Sequence, residues 1–169
     1  MSWQGVEKWK KYYERPRPPV YKAKPKTMSH QNVQVECFFD TAIRSVWKAL
    51  TEKDLMKEWY IKVDDFKTMV GFKFEFWGGE ENERKWKHLC EITEVVPEKR
   101  LTYSWKYKGY SGLSSVTFEL FEQTNGTKLK LTHSGIETFP SNLPELTISN
   151  FENGWNQAIN HSLKEFLEK

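Results

Sequence analysis

Between Phe72 and His133 the chain runs in short segments of alternating apolar and polar residues, closed by glycine, proline or asparagine and never separated by a helix-length spacer. Side chains of a strand point to opposite faces with period two, so each segment reads as a half-buried strand. The gaps are too short for parallel crossovers, so the segments must pair as an antiparallel meander. Phe72, Phe74 and Phe76 share one face of the first segment, which Gly78-Gly79 breaks. Residues 85–96 follow and stop at Pro97, and residues 100–108 place Leu101, Tyr103, Trp105 and Tyr107 on one face. Val116, Phe118 and Leu120 then alternate, Asn125-Gly126 supplies a hairpin turn, and Leu129, Leu131 and His133 alternate on the return. A further short strand is expected at residues 65–68.

Val33, Val35, Cys37 and Phe39 form another alternating strand before this run. Asp40 or Thr41 is the expected cap of a helix that carries Ile43, Val46, Trp47 and Leu50 on one face, and Thr51 the expected cap of a second short helix over 54–60, with Leu55, Met56 and Trp59. Residues 145–169 contain no proline and one glycine. A helix over that span would be about 37 Å long. Phe151, Trp155, Ile159, Leu163 and Phe166 give it one apolar stripe, which needs a sheet to cover. The expected fold is therefore α+β: a curved antiparallel sheet of six to seven strands gripping a long C-terminal helix, with two short helices after the first strand.

A chain of 169 residues has room for one such domain, placed at residues 28–169. Residues 1–27 hold eight basic residues against Glu7 and Glu14, whereas the remainder has 18 basic and 21 acidic residues. The formal charge of +3 is thus a property of the tail, and the domain itself carries no basic surface that would mark a nucleic-acid partner. Pro16, Pro18 and Pro19 interrupt the tail, which reads as a flexible basic extension. Its native origin is open, and Met28 is an alternative first residue. Val6, Trp9 and Tyr13 would give it two turns of amphipathic helix at most. Cys37 and Cys90 stand alone, without the spacing of a zinc site or a disulfide framework. No apolar run reaches the roughly 18 residues of a membrane span and no signal-peptide core is present, so a cytoplasmic protein is expected.

The search for chemistry finds few convergent titratable groups. His133 shares a face with Leu129 and Leu131, where a hydrogen-bonded structural histidine is the default and a polar anchor at a cavity wall the alternative. Cys90 and His88 are two residues apart on one strand, about 7 Å, which is too far for thiol activation. Glu80, Glu81 and Glu83 read as a solvated loop. No phosphate loop, zinc-protease or nucleophile-elbow motif occurs, and the histidines have no metal spacing, so neither a metal nor a cofactor is expected. The positive signal is aromatic: rings make up 15% of residues. Phe74, Phe76, Tyr103, Trp105 and Tyr107 would line the sheet face opposite Trp155 and Ile159, with Trp59 near a mouth and His133 fixing orientation.

Several segments resemble one family. Ser45-Val46-Trp47-Lys48-Ala49-Leu50-Thr51 with Leu55, Met56 and Trp59 is similar to the opening of Hsp90-ATPase-activator-like domains within the START and Bet v 1 superfamily. The centre of that family resembles Glu94-Val95-Val96-Pro97-Glu98-Lys99-Arg100-Leu101-Thr102-Tyr103-Ser104-Trp105, and its later motifs resemble 116–120, 126–129, 131–135 and Gly154-Trp155. The resemblance implies a helix-grip fold, whose members commonly enclose hydrophobic ligands. It also implies three function classes. The expected one is non-catalytic binding of a small hydrophobic or aromatic ligand by a monomer or weak homodimer. The second is a protein-binding module with a chaperone partner, although the separate Asn- and Trp-rich domain on which the eukaryotic co-chaperone depends has no counterpart in residues 1–27. The third is a cyclase- or aromatase-like enzyme with His133 or Tyr103 as acid or base.

Overall fold

A computed structural model describes residues 32–79 and 84–169. The basic extension, the boundary at residue 28 and the Glu80–Glu83 loop of the sequence reading lie outside these residues. Six strands form one antiparallel sheet: β1 (Val33–Phe39), β2 (Lys73–Gly78), β3 (Trp86–Val96), β4 (Arg100–Tyr107), β5 (Ser114–Gln123) and β6 (Gly126–Ser134). Their order is β1-β6-β5-β4-β3-β2. Strands β2 to β6 are the expected meander, and β1 joins at its far edge, paired along its length with β6 from Val33 opposite His133 to Phe39 opposite Thr127. Alternation decides the faces: the odd-numbered residues of β1 are all buried and the even-numbered ones exposed. A register shift between Ile92 and Glu94 marks a bulge in β3, which bends and twists the sheet there.

Two helices, α1 (Ile43–Thr51) and α2 (Lys53–Trp59), connect β1 to β2. The C-terminal helix closes the fold in three continuous parts: α3 (Ile148–Asn156), a π-helical stretch (Gln157–Leu163) and α4 (Lys164–Leu167). The π turns have a physical reason in the spacing of the stripe. Four residues of α-helix turn about 40° beyond a full circle, so an apolar residue every fourth position drifts off the face. The wider turns from Gln157 onward offset that drift, and Phe151, Trp155, Ile159 and Leu163 are all buried.

Four details differ from the sequence reading. Residues 65–68 form no strand; Asp65 Oδ1 instead accepts from the Phe66 N–H, and the Phe66 ring packs on Phe72 and Phe74. The N-cap of α1 is Ala42, which has no side-chain oxygen to cap with; just before it the Asp40 N–H donates to Glu168 and the Thr41 carbonyl accepts from the Thr127 hydroxyl at 2.9 Å. Thr51 does not cap α2: its hydroxyl donates back to Trp47 O, and Glu52 is the extended residue between the helices. Residues 144–146 make a separate 3-10 turn, so the C-terminal helix begins at Ile148, where Thr147 accepts from Asn150 N–H.

Candidate functional site

Strand β4 lies mid-sheet and sends Tyr103, Trp105 and Tyr107 to the concave face, where all are buried. Neighbouring strands add rings to the same side: Phe74 and Phe76 from β2, Trp86 and His88 from β3, Phe118 from β5 and His133 from β6. The C-terminal helix lays Trp155 across them, 5.7 Å from Trp105, 6.0 Å from Phe118 and 5.7 Å from Tyr60, measured between ring centroids. Around Trp105 the neighbours Phe76 and His88 stand edge-on at 5.6 and 4.8 Å, an arrangement the ring quadrupole favours. All nine residues picked from the sequence, Trp59, Phe74, Phe76, Tyr103, Trp105, Tyr107, His133, Trp155 and Ile159, are buried.

They do not all play the same part. Trp59 is fully enclosed, and its indole N–H donates to Ala49 O at 2.9 Å, so it ties α2 to α1 and reaches the cluster through the stacked ring of Tyr60. His133 sits in a hydrogen-bonded chain whose direction is set by chemistry. An indole N–H can only donate, so Nδ1 of His133, 3.0 Å from Trp155 Nε1, must be the bare nitrogen. The ring proton therefore resides on Nε2 and is donated to Ser114 Oγ at 2.7 Å, and the Ser114 hydroxyl donates in turn to Trp105 O at 3.0 Å. One proton-ordered chain thus links the C-terminal helix to β6, β5 and β4.

That polarity bears directly on reactivity. A serine nucleophile needs its histidine to accept the hydroxyl proton through a bare Nε2, with a group on the far side accepting Nδ1–H. Here Trp155 donates to Nδ1, which forces the opposite tautomer. Burial pushes the His133 pKa down to about 3, with the nearby His88 adding to the effect. Burial likewise pushes His88 down to about 3, against hydrogen bonds to the backbone of Trp86 and Phe76. The Tyr60 and Tyr103 hydroxyls lie 3.2 Å apart, and burial raises both pKa values well above the ordinary phenol range. Burial raises the Cys90 thiol too. All these groups are neutral near pH 7, and none is poised to lose or gain a proton. Among the described residues no group of three or more His, Cys, Asp or Glu could hold a metal ion, and no helix is long and apolar enough to cross a membrane.

The sequence reading missed Ser114 and Tyr60. Ser114 follows a turn, and only the pairing of β5 with β6, which sets Val116 opposite His133, brings its hydroxyl to the imidazole. Tyr60 had a local signal, as the aromatic residue after Trp59 at the end of α2, but its partner Tyr103 is 43 residues away.

The sequence model of the family described as Activator of Hsp90 ATPase homolog 1-like protein matches residues 40–168. The chain belongs to this family. Among solved structures, a protein from Mesorhizobium loti, MLL2253, is 28% identical with a TM-score of 0.65, over 82% of this chain and 97% of that one. CalU16 from Micromonospora echinospora is 25% identical with a TM-score of 0.61, over 80% of this chain and 75% of that one. DynU16, a protein in the dynemicin biosynthetic locus, shares the fold at 20% identity and a TM-score of 0.67; the match covers 82% of this chain and 47%, about half, of DynU16. No curated protein matches the sequence. Residues 40–168 take in α1 through the C-terminal helix, so membership in the Hsp90-ATPase-activator-like family covers all of the aromatic cluster.

Proposed function

We propose that this domain binds a small hydrophobic or aromatic molecule between the concave face of the sheet and the C-terminal helix, without covalent chemistry. The observation that carries the reading is the convergence of rings from β2, β3, β4, β6 and the C-terminal helix around Trp105, with both imidazoles among them neutral. Such a site binds by removing apolar ligand area from water, at roughly 25 cal/mol per Å². The proton-ordered Trp155–His133–Ser114 chain supports a binding role over an enzymatic one, since it offers neither a general base nor an activated nucleophile. CalU16 and DynU16 share this architecture.

The test is the thermal midpoint of the protein against sterols, fatty acids, phospholipids and polycyclic aromatic ketones. A ligand at 100 times its Kd adds about 2.7 kcal/mol, which for a domain of this size raises the midpoint by about 5–10 °C. A core simply filled by its own rings predicts no shift with any class, and that result would end the proposal.

A second reading has its own observation. Met69, Val70 and Trp77 are 58%, 59% and 55% exposed, in and beside the edge strand β2. An apolar surface of this kind fits a protein partner, and the family takes its name from an activator of the Hsp90 ATPase. Its test is the ATP turnover of purified Hsp90 with and without the domain; an unchanged rate removes the co-chaperone version.

A further inference from the structure

Three tryptophans of the cluster are almost wholly enclosed, and their indole hydrogens fare differently. Trp59 donates to Ala49 O and Trp155 to His133 Nδ1. Trp105 is only 3% exposed, and its Nε1 has no hydrogen-bond partner among the described residues. A buried N–H without an acceptor is costly, and native proteins leave few such groups unless something else supplies the acceptor. The surrounding side chains do not supply one. Phe76 and Trp155 carry no hydrogen-bond acceptor atom, His133 has already committed its bare nitrogen to Trp155, and neither nitrogen of His88 hydrogen-bonds the Trp105 indole.

A second donor lies nearby. The Tyr60–Tyr103 pair has two hydroxyl hydrogens and one hydrogen bond between them, so one O–H is left to point elsewhere. Tyr103 precedes Trp105 by two residues on the same face of β4, roughly 7 Å along the strand. The described buried residues include no Asp, Glu, Lys or Arg, so a charged ligand group would find no counter-ion here. Edge-on rings on several sides favour a flat partner.

We propose that the ligand is a neutral, planar aromatic molecule with a carbonyl oxygen that accepts the Trp105 indole hydrogen, the free Tyr60 or Tyr103 hydroxyl serving a second oxygen where the ligand has one. This deepens the ligand-binding reading above and rests on it. It separates two molecules that hydrophobic burial alone would treat alike: 9-fluorenone and fluorene have the same ring frame and differ in the carbonyl.

The experiment measures both affinities by quenching of tryptophan fluorescence, and the infrared carbonyl stretch of bound fluorenone, in the wild-type protein and in Trp105→Phe. The expected result is a preference for fluorenone of about tenfold in the wild type, with a carbonyl stretch lowered from its value in hydrocarbon solvent. In Trp105→Phe the ratio of the two affinities collapses toward unity, whatever the change in fluorene affinity itself. Equal wild-type affinities, or a preference that survives in Trp105→Phe, overturn the carbonyl assignment and leave hydrophobic binding standing. Should Trp105→Phe fail to fold, the wild-type spectrum decides, and an unshifted carbonyl refutes the proposal. If neither compound nor any member of the wider panel binds, the ligand-binding reading falls and takes this inference with it.

Discussion

Replacing His133 by glutamine exposes what the buried imidazole does to acid stability. In the folded protein His133 is neutral with a pKa near 3, whereas an unfolded histidine titrates near 6.5. Below pH 6.5 the unfolded chain binds a proton that the native chain refuses, so the stability present above pH 6.5 is lost as pH falls toward 3. From pH 7.5 to pH 5.0 this amounts to about 2 kcal/mol for one such histidine. His88, with the same depressed value, adds a similar loss. A glutamine amide cannot titrate, so His133→Gln should lose about 2 kcal/mol less than wild type over that interval. At pH 7.5 the variant starts lower by about 1–2 kcal/mol, which is what a disturbed buried hydrogen-bond chain costs. The two curves of unfolding free energy against pH should therefore converge on acidification. Urea denaturation at half-unit steps between pH 5.0 and 7.5 measures both, and His88 cancels in the difference. Parallel curves would mean that His133 gains its proton as easily folded as unfolded, and would refute the direction assigned to the Trp155–His133–Ser114 chain.

Ser114→Ala removes the acceptor of His133 Nε2–H inside the core and should cost about 1–3 kcal/mol in urea unfolding; a loss under about 0.5 kcal/mol would show that the 2.7 Å contact carries nothing. Gly112 has φ +108°, and a Cβ there would lie 2.6 Å from both Thr138 O and the Phe139 ring, while Gly71, at φ +89°, has open space. Both alanine variants bear the backbone strain, so Gly112→Ala should melt distinctly lower than Gly71→Ala, and equal midpoints would deny the steric part. Thr147→Ala deletes the side-chain cap of the C-terminal helix and should cost about 1 kcal/mol, seen as a midpoint lowered by about 2–4 °C.

The strands were legible because their signal is local. Val33, Val35, Cys37 and Phe39 announce a buried face through period two alone, and the same rule placed Leu129, Leu131 and His133 together. The helix boundaries were less legible for a reason visible at Asp40 and Thr41, both good caps in isolation. Their backbone groups are claimed by Glu168 and Thr127, residues that approach only after the chain has folded. The site was readable as a set of rings and unreadable as a network. Trp105 and Trp155 have the same indole donor, and nothing in the sequence tells that one would find a nitrogen to bond and the other would not.

The sequence by itself determined the antiparallel sheet, the gripping helix and an aromatic interior, because side-chain period and turn chemistry act over a few residues. The tertiary structure decided which polar atoms those rings would meet. Register between β5 and β6 and the lie of the C-terminal helix bring Ser114, His133 and Trp155 within hydrogen-bond reach, and burial then fixes the imidazole as a neutral donor to Ser114. Hydrogen bonds act over about 3 Å and desolvation depends on everything packed around a group, so neither can be read from spacing along the chain.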